Sequence, residues 1–337
     1  MSNIKSRKDQ HLDIVLAGRA AAQGPQHPFD ALRLPHEAAP NFALADVDLT
    51  TPFLGKTLRA PFLVSSMTGG PARATKINRV LADVAQSERI AFAVGSQRIA
   101  IEAAGDAGFE RSLRTQLADV PLLANIGAAQ VVEWKDPAKV LRAVDMLEAD
   151  GLIVHFNPLQ EALQEGGDTD WRGLHDALAD LAAISPVPLI AKEVGSGISG
   201  TTAKTLVALG FQVIDVAGVG GTSWAAVEAE RSEDPSHRTM AAPFHDWGIP
   251  TPDAIVDVAH QCPGVPVIAS GGIRHGLDAA KAIRLGATLV GQAAQLLGPA
   301  MDGPDAARLA LEQTIRQLQI ACFCTGARSL DALRAAG

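Results

Sequence analysis

The chain has 337 residues, 47% hydrophobic and 20% charged, enough to build one large core. Its 29 basic and 37 acidic side chains leave a net charge of −8, which argues against broad binding to nucleic acid or an anionic membrane. Three cysteines, two of them close together at Cys322 and Cys324, make neither a disulfide framework nor a zinc spacing and suit a reducing cytoplasm.

In chain order, the opening MSNIKSRKDQHLDIVLAG has a basic start. Its apolar run LDIVLAG is short and interrupted by Asp13, which excludes a secretion signal. No later stretch approaches the roughly 18–20 apolar residues of a membrane span. Within the opening, RKDQH sets Arg7, Lys8 and His11 at i, i+1 and i+4, so that on a helix Arg7 and His11 share a face. The ordinary reading is a solvated basic terminus; the other is a small clamp for a diphosphate. Residues 1–60 are otherwise proline-rich and irregular, and read as an extension packing on residues 61–337 within the same domain.

From residue 61 a rhythm sets in. Short apolar runs occur at PFLVSSM (61–67), IAFAV (90–94), PLLANI (121–126) and GLIVHF (151–156). They continue at PLIAKE (188–193), FQVIDV (211–216), VPVIAS (265–270) and ATLVG (287–291). Helical patterns such as ATKINRVLADVAQ, AKVLRAVDMLEA, LHDALADLAAI and LDAAKAIRLG lie between them, several ending in glycine. Apolar strands alternating with helices mean a parallel sheet buried on both faces. Eight evenly spaced units in about 250 residues predict an α/β fold, a closed (β/α)8 TIM barrel with an N-terminal extension. A doubly wound sheet is the alternative. The segment 222–250 is too long for a simple loop, with a charged, poorly periodic middle, and reads as a candidate mobile lid.

In a barrel of this kind the site lies at the C-terminal ends of the strands. Those ends read SSMTGG, GSQR, NIG, HFNPLQE, KEVGSG, AGVGGTSW, SGGIR and GQAAQ, polar or small almost throughout, whereas connections such as ISPVP and CPGVP at the other pole are bland. SGGIR and GQAAQ follow the last two strands, where backbone N–H groups commonly hold a phosphate; two tight glycine turns are the plain alternative. Lys192 ends a buried strand and needs an anionic partner, either Glu193 or a bound anion such as a reduced flavin ring. In HFNPLQE, Asn157 and Pro158 suit a helix start, with Gln160 completing a capping-box spacing and Glu161 at the positive end of the helix. Capping leaves His155 unexplained, and EGGD ends the helix early; a carboxylate there is also well placed for Mg2+.

In this order and spacing, RKDQH, MTGG, GSQR, HFNPLQE, KEVGSG, GGTSW, WGIPT and SGGIR resemble the FMN-dependent, type 2 isopentenyl-diphosphate isomerases, over essentially the whole chain. The resemblance implies interconversion of isopentenyl and dimethylallyl diphosphate with FMN, Mg2+ and a reductant such as NADPH, in a cytoplasmic tetramer or octamer. It implies flavin contacts at Ser66, Met67, Thr68, Ser96, Asn125, Lys192, Thr222, Gly271, Gly272, Arg274, Ala293 and Ala294. Substrate contacts fall on Arg7, Lys8, Ser96, Gln97, Arg98 and Gln160, with His11, His155 and Asn157 near the diphosphate, and Glu161 as magnesium ligand. Gln160, Lys192 and His155 are its catalytic candidates. Two other readings stay open: a hydroxy-acid oxidoreductase on the same fold, and a non-catalytic flavin- or phosphate-binding barrel. The oxidoreductase pattern, an HGGR-like strand end, is absent from GVGGTSW and SGGIRHG.

Overall fold

Eight parallel strands close into a barrel in the computed structural model, which describes residues 2–21, 27–67, 72–102 and 111–336, with the backbone alone for 2–8 and 72. A hairpin precedes the barrel, with strands β1 (Thr51–Phe53) and β2 (Lys56–Leu58). The barrel strands are β3 (Phe62–Val64), β4 (Ala91–Ala93), β5 (Leu122–Gly127), β6 (Gly151–Phe156), β7 (Leu189–Glu193), β8 (Val213–Asp215), β9 (Val267–Ala269) and β10 (Leu289–Gln292). They pair in chain order, and β10 closes on β3. Each lies within the run predicted for it or extends one residue beyond it.

The pleat explains the arrangement. Alternate side chains of a strand point to opposite faces. Outward residues such as Phe62, Phe92, Leu152, Val154, Ala191 and Ile214 meet the surrounding helices in one continuous core. Inward residues Leu63, Ala93, Leu123, Ile153, Ile190, Val213, Ile268 and Leu289 fill the barrel. Two positions further along each strand, on the same inner face, stand Ser65, Gly95, Asn125, His155, Lys192, Asp215, Ser270 and Gly291. The barrel is thus greasy below and polar or small at the top, with the change made in one residue layer.

The lower end is closed by the hairpin, a regular element within residues 1–60, which were expected to be irregular. Phe53, Leu54 and Leu58 pack against the inward apolar layer. The rest of residues 1–60 also engages the barrel: Leu12, Phe29, Val47 and Leu49 are buried in the outer core. The segment 222–250 is not irregular. It forms helices Trp224–Arg231 and Pro235–Ala241 and a short 3-10 turn, Ala242–Phe244. Ser223 and Asp234 cap the two helices, accepting from the Ala226 and Ser236 N–H groups. At seven or eight residues, neither helix is long enough to show a clear period.

All three cysteines are free, and burial pushes the Cys322 thiol up to about 12. Among the described residues no helix is long and apolar enough to cross a membrane.

The plug leads to a direct expectation. Phe53→Ala should lower the stability by about 3–5 kcal/mol, the usual cost of emptying a buried aromatic site. Denaturant unfolding with unchanged slope measures it; an unchanged midpoint would mean that the hairpin does not close the core.

Candidate active site

The polar layer is the floor of a cavity of about 290 Å³ at the C-terminal mouth of the barrel. Strand register brings three residues of the polar layer side by side, His155 with Lys192 on the cavity floor and Lys192 with the buried Asp215. Lys192 is 7% exposed, and its Nζ donates to the Glu193 carbonyl at 2.6 Å. Beside it in register is Asp215, fully buried, whose Oδ1 accepts from the Ser270 hydroxyl at 2.6 Å while its Oδ2 has no hydrogen-bond partner among the described residues. Burial pushes the Asp215 carboxyl up, while the Lys192 charge and the Ser270 bond pull it down. Glu193 is not the partner of Lys192 by its carboxylate. One Glu193 oxygen accepts the N–H groups of Val194 and Gly195 at 2.6 Å, Gly197 at 3.2 Å and Ser196. Desolvation pushes Glu193 up, and those N–H bonds and Lys192 pull against it.

His155 has a defined tautomer. Asn125 donates its amide to the Val94 carbonyl at 3.1 Å, so its oxygen must be the acceptor facing His155 Nδ1 at 2.7 Å. Nδ1 therefore carries a hydrogen and donates to that oxygen.

The wall beside this floor is HFNPLQE. Asn157 stands at the N-cap position of helix Pro158–Leu163, with Pro158 at its first turn, but it makes no capping bond. Its amide donates instead to Gln160 Oε1 at 3.1 Å and Glu161 Oε1 at 2.8 Å. The capping box expected from the spacing is therefore replaced by a side-chain network. Its φ of −140° with ψ of 47° departs from the extended cap conformation, which explains the change. Glu161 Oε2 accepts from Gln164 at 3.3 Å and from the Asp168 N–H at 2.8 Å. That last bond accounts for EGGD. Gly166 turns with φ 67°, and Gly167 passes so close that a Cβ would lie 2.0 Å from the Glu161 carbonyl oxygen.

Opposite lies a glycine cradle. Gly271 and Gly272 line the cavity with φ 96° and 77°, and a Cβ on either would strike the Gly218 or Gly220 backbone, within 2.2 and 2.5 Å. Ala293, Ala294 and Thr222 continue this wall, and Ser66, Met67 and Ser96 close it. The Ser66 hydroxyl is buried with no partner among the described residues.

The roof comes from the N-terminal helix, Ser2–Leu16, and from the 224–231 helix. His11 packs edge-on to Trp224 at 5.2 Å, with its Nε2 3.2 Å from Glu228. Glu228, 1% exposed, also accepts from Gln160 at 3.1 Å and pairs with Arg231 at 3.0 Å. Both ends of the Gln160 amide are thus held. Arg98 lines the cavity among three carboxylates, Asp168 at 2.7 Å, Glu102 at 3.0 Å and Glu133 at 3.5 Å.

Two expected site residues stand elsewhere. Gln97 is fully buried away from the cavity, accepting from the Asn125 N–H at 2.9 Å and donating to the Ala143 carbonyl at 3.0 Å. Arg274 does not line the cavity; it is held behind the cradle by Asp278 at 2.8 Å and Asp30 at 2.5 Å. Thr68 and the side chains of Arg7 and Lys8 lie outside the described residues. Asp215, Glu228 and Trp224 were not anticipated. The inner-face period in FQVIDV signals Asp215; Glu228 depends on a tertiary contact with no local signature.

Burial opposes charge on Glu228, but the His11 imidazole 3.2 Å away, the Gln160 bond and the Arg231 charge outweigh it and hold the carboxyl at about 2, against an ordinary 4.5. A depressed carboxyl stabilises the fold above its unfolded value, and that contribution fades as pH falls from about 4.5 towards 2. Glu228→Gln should therefore be less stable than wild type at pH 6, with the gap narrowing towards pH 2. Urea midpoints across that window check this, and a constant gap would contradict it.

A family model described as FMN-dependent dehydrogenase matches residues 157–336. The chain is 54% identical to the isopentenyl-diphosphate delta-isomerase of Stutzerimonas stutzeri (strain A1501), over 99% of this chain and 96% of that one. It is 53% identical to the enzyme of the same name from Pseudescherichia vulneris, over 98% and 95%. Among solved structures it is similar to mandelate oxidase, with TM-score 0.66 and 14% identity over 98% of this chain and 96% of that one, a likeness of fold alone. Near-full-length identity of this order decides between the two chemistries hosted by the fold: the chain belongs to the FMN-dependent isopentenyl-diphosphate delta-isomerases.

Proposed function

We propose that the protein interconverts isopentenyl and dimethylallyl diphosphate, using reduced FMN, which the glycine cradle and Lys192 would hold, and Mg2+, which Glu161 would hold for the diphosphate. The observation that carries this reading is the division of the mouth. A glycine cradle with no room for side chains lies on one wall, and a hydrogen-bonded carboxylate, 9% exposed, lies on the other. Lys192 and His155 sit in the floor between them.

The residues present fit both groups. The cradle allows backbone approach to a phosphate, and the buried Ser66 hydroxyl lacks a partner among the described residues. Glu161 receives three hydrogen bonds, from Asn157, Gln164 and the Asp168 N–H. A carboxylate offers about four lone-pair sites, which leaves one for a cation. Among the described residues no group of three His, Cys, Asp or Glu forms a metal cage. A single carboxylate completed by diphosphate oxygens is an ordinary arrangement for Mg2+.

When bound, reduced FMN, renewed by NADPH, supplies an electron-rich ring that can exchange a proton and stabilise developing positive charge. The chain's own residues do the rest. Lys192 would hold the negative end of the ring, with Asp215 behind it. His155 Nε2, His11, Arg98, Arg7 and Lys8 would hold the diphosphate. Binding energy from that unreactive group then orients an otherwise featureless five-carbon unit. Gln160, fixed between Asn157 and Glu228, would keep the wall beside the reacting carbons in register. The reaction adds a proton at one carbon and removes one from another, so no net oxidation occurs.

Turnover in D2O tests the proton chemistry: dimethylallyl diphosphate should carry deuterium, and product free of deuterium would refute exchange with a solvent-equilibrated group. Glu161→Gln should raise the KM for isopentenyl diphosphate by about tenfold or more and flatten its Mg2+ dependence, with FMN retained. Loss of flavin absorbance in that variant would contradict the separate assignment of the two walls.

A further inference from the structure

The chain that follows the N-terminal helix runs behind the cavity's glycine loops. At Ala20 it accepts the Ser223 N–H at 2.8 Å, and Ala21 bridges Thr222. It docks again through the 3-10 turn Pro28–Ala31. Phe29 is fully buried, and its carbonyl accepts from Lys281 Nζ at 2.8 Å. Asp30 grips Arg274. These contacts anchor His27, whose Nε2 lies 3.0 Å from the Gly220 carbonyl while its Nδ1 accepts the Phe29 N–H at 3.4 Å. The two bonds together fix the tautomer: Nε2 carries the hydrogen and donates.

The Gly220 carbonyl belongs to a planar trans peptide whose other end is the Gly221 N–H. In such a unit the carbonyl and the N–H point in opposite directions. Pulling the carbonyl back to His27 turns the Gly221 N–H away from the strap, and Gly221 lines the cavity. Glycine flanks this peptide on both sides, so its rotation is opposed by no Cβ. Gly221 also abuts the cradle, since a Cβ there would lie 2.7 Å from the Gly272 nitrogen.

We propose that His27 is a positioning residue that locks the Gly220–Gly221 peptide, so that the Gly221 N–H joins the cradle that receives the cofactor's phosphate. This rests on the reading of that cradle as the FMN phosphate site. The lock acts on phosphate, not on the flavin ring, and that separates it from a general structural role.

The test compares FMN with riboflavin, which lacks the phosphate, by quenching of flavin fluorescence on the full chain freed of flavin. His27→Ala should weaken FMN binding about tenfold, the worth of one oriented hydrogen bond, and leave riboflavin binding unchanged. His27→Phe keeps a ring stacked on Phe29 without a donor and should behave like His27→Ala. His27→Gln retains an N–H donor and should recover most of the FMN preference. If the FMN-to-riboflavin ratio in the Ala and Phe variants equals that of wild type, the lock is wrong. A wild type with no preference for FMN over riboflavin would overturn the phosphate assignment and the lock together.

Discussion

A lysine ammonium buried in the throat of a closed barrel is the constraint on which the site depends. Such a charge is tolerated only with a partner. Here the Glu193 carbonyl accepts from the ammonium, and two buried carboxyls, Asp215 one strand over in register and Glu193 next in sequence, feel its charge without a direct ion pair among the described residues. Glu193, adjacent in sequence, has its carboxylate drawn into four backbone N–H groups and fixes the loop after β7. Lys192 thus keeps its charge without an ion pair among the described residues while it lines the cavity beside His155. A floor of that kind favours an anionic ligand, and the glycine cradle and the Glu161 wall divide the space above it.

Much of this was legible in the sequence because burial on both faces leaves few choices. Strand GLIVHF was placed to the residue, since its neighbours on both sides are apolar layers. The single polar residue that ends each inner row is a consequence of the two-residue period, and Asn125, His155 and Lys192 could be located from it. The hairpin could not. Its turn is Leu54–Gly55, with φ of 47° and 75°, and lacks the Asn-Gly or Asp-Gly pair that marks such turns. Leu54 occupies a backbone conformation unfavourable to a branched side chain, and it packs against the barrel's inner core. Arg274 and Gln97 stand outside the cavity lining for a related reason. A strand-end motif gives the position but not the face, and Arg274's acidic partner Asp30 is 244 residues away.

The same architecture supports oxidases of hydroxy acids, so the fold by itself leaves the chemistry undecided. The difference lies in strand-end side chains. GVGGTSW and SGGIRHG bring a glycine cradle and Trp224 to the mouth. HFNPLQE brings a carboxylate wall in which every amide is oriented by a neighbour. The N-terminal segment adds a roof through His11 and Glu228 and a brace through His27.

A redox-neutral proton transfer at the proposed flavin site leaves a stoichiometric signature. Its most direct measurement is the stoichiometry of reductant against product, with purified protein, isopentenyl diphosphate, FMN, Mg2+ and NADPH held without oxygen. Many turnovers to dimethylallyl diphosphate are expected after a single reduction of the flavin, with no further NADPH consumed. NADPH loss in proportion to product, or no product at all, would contradict it.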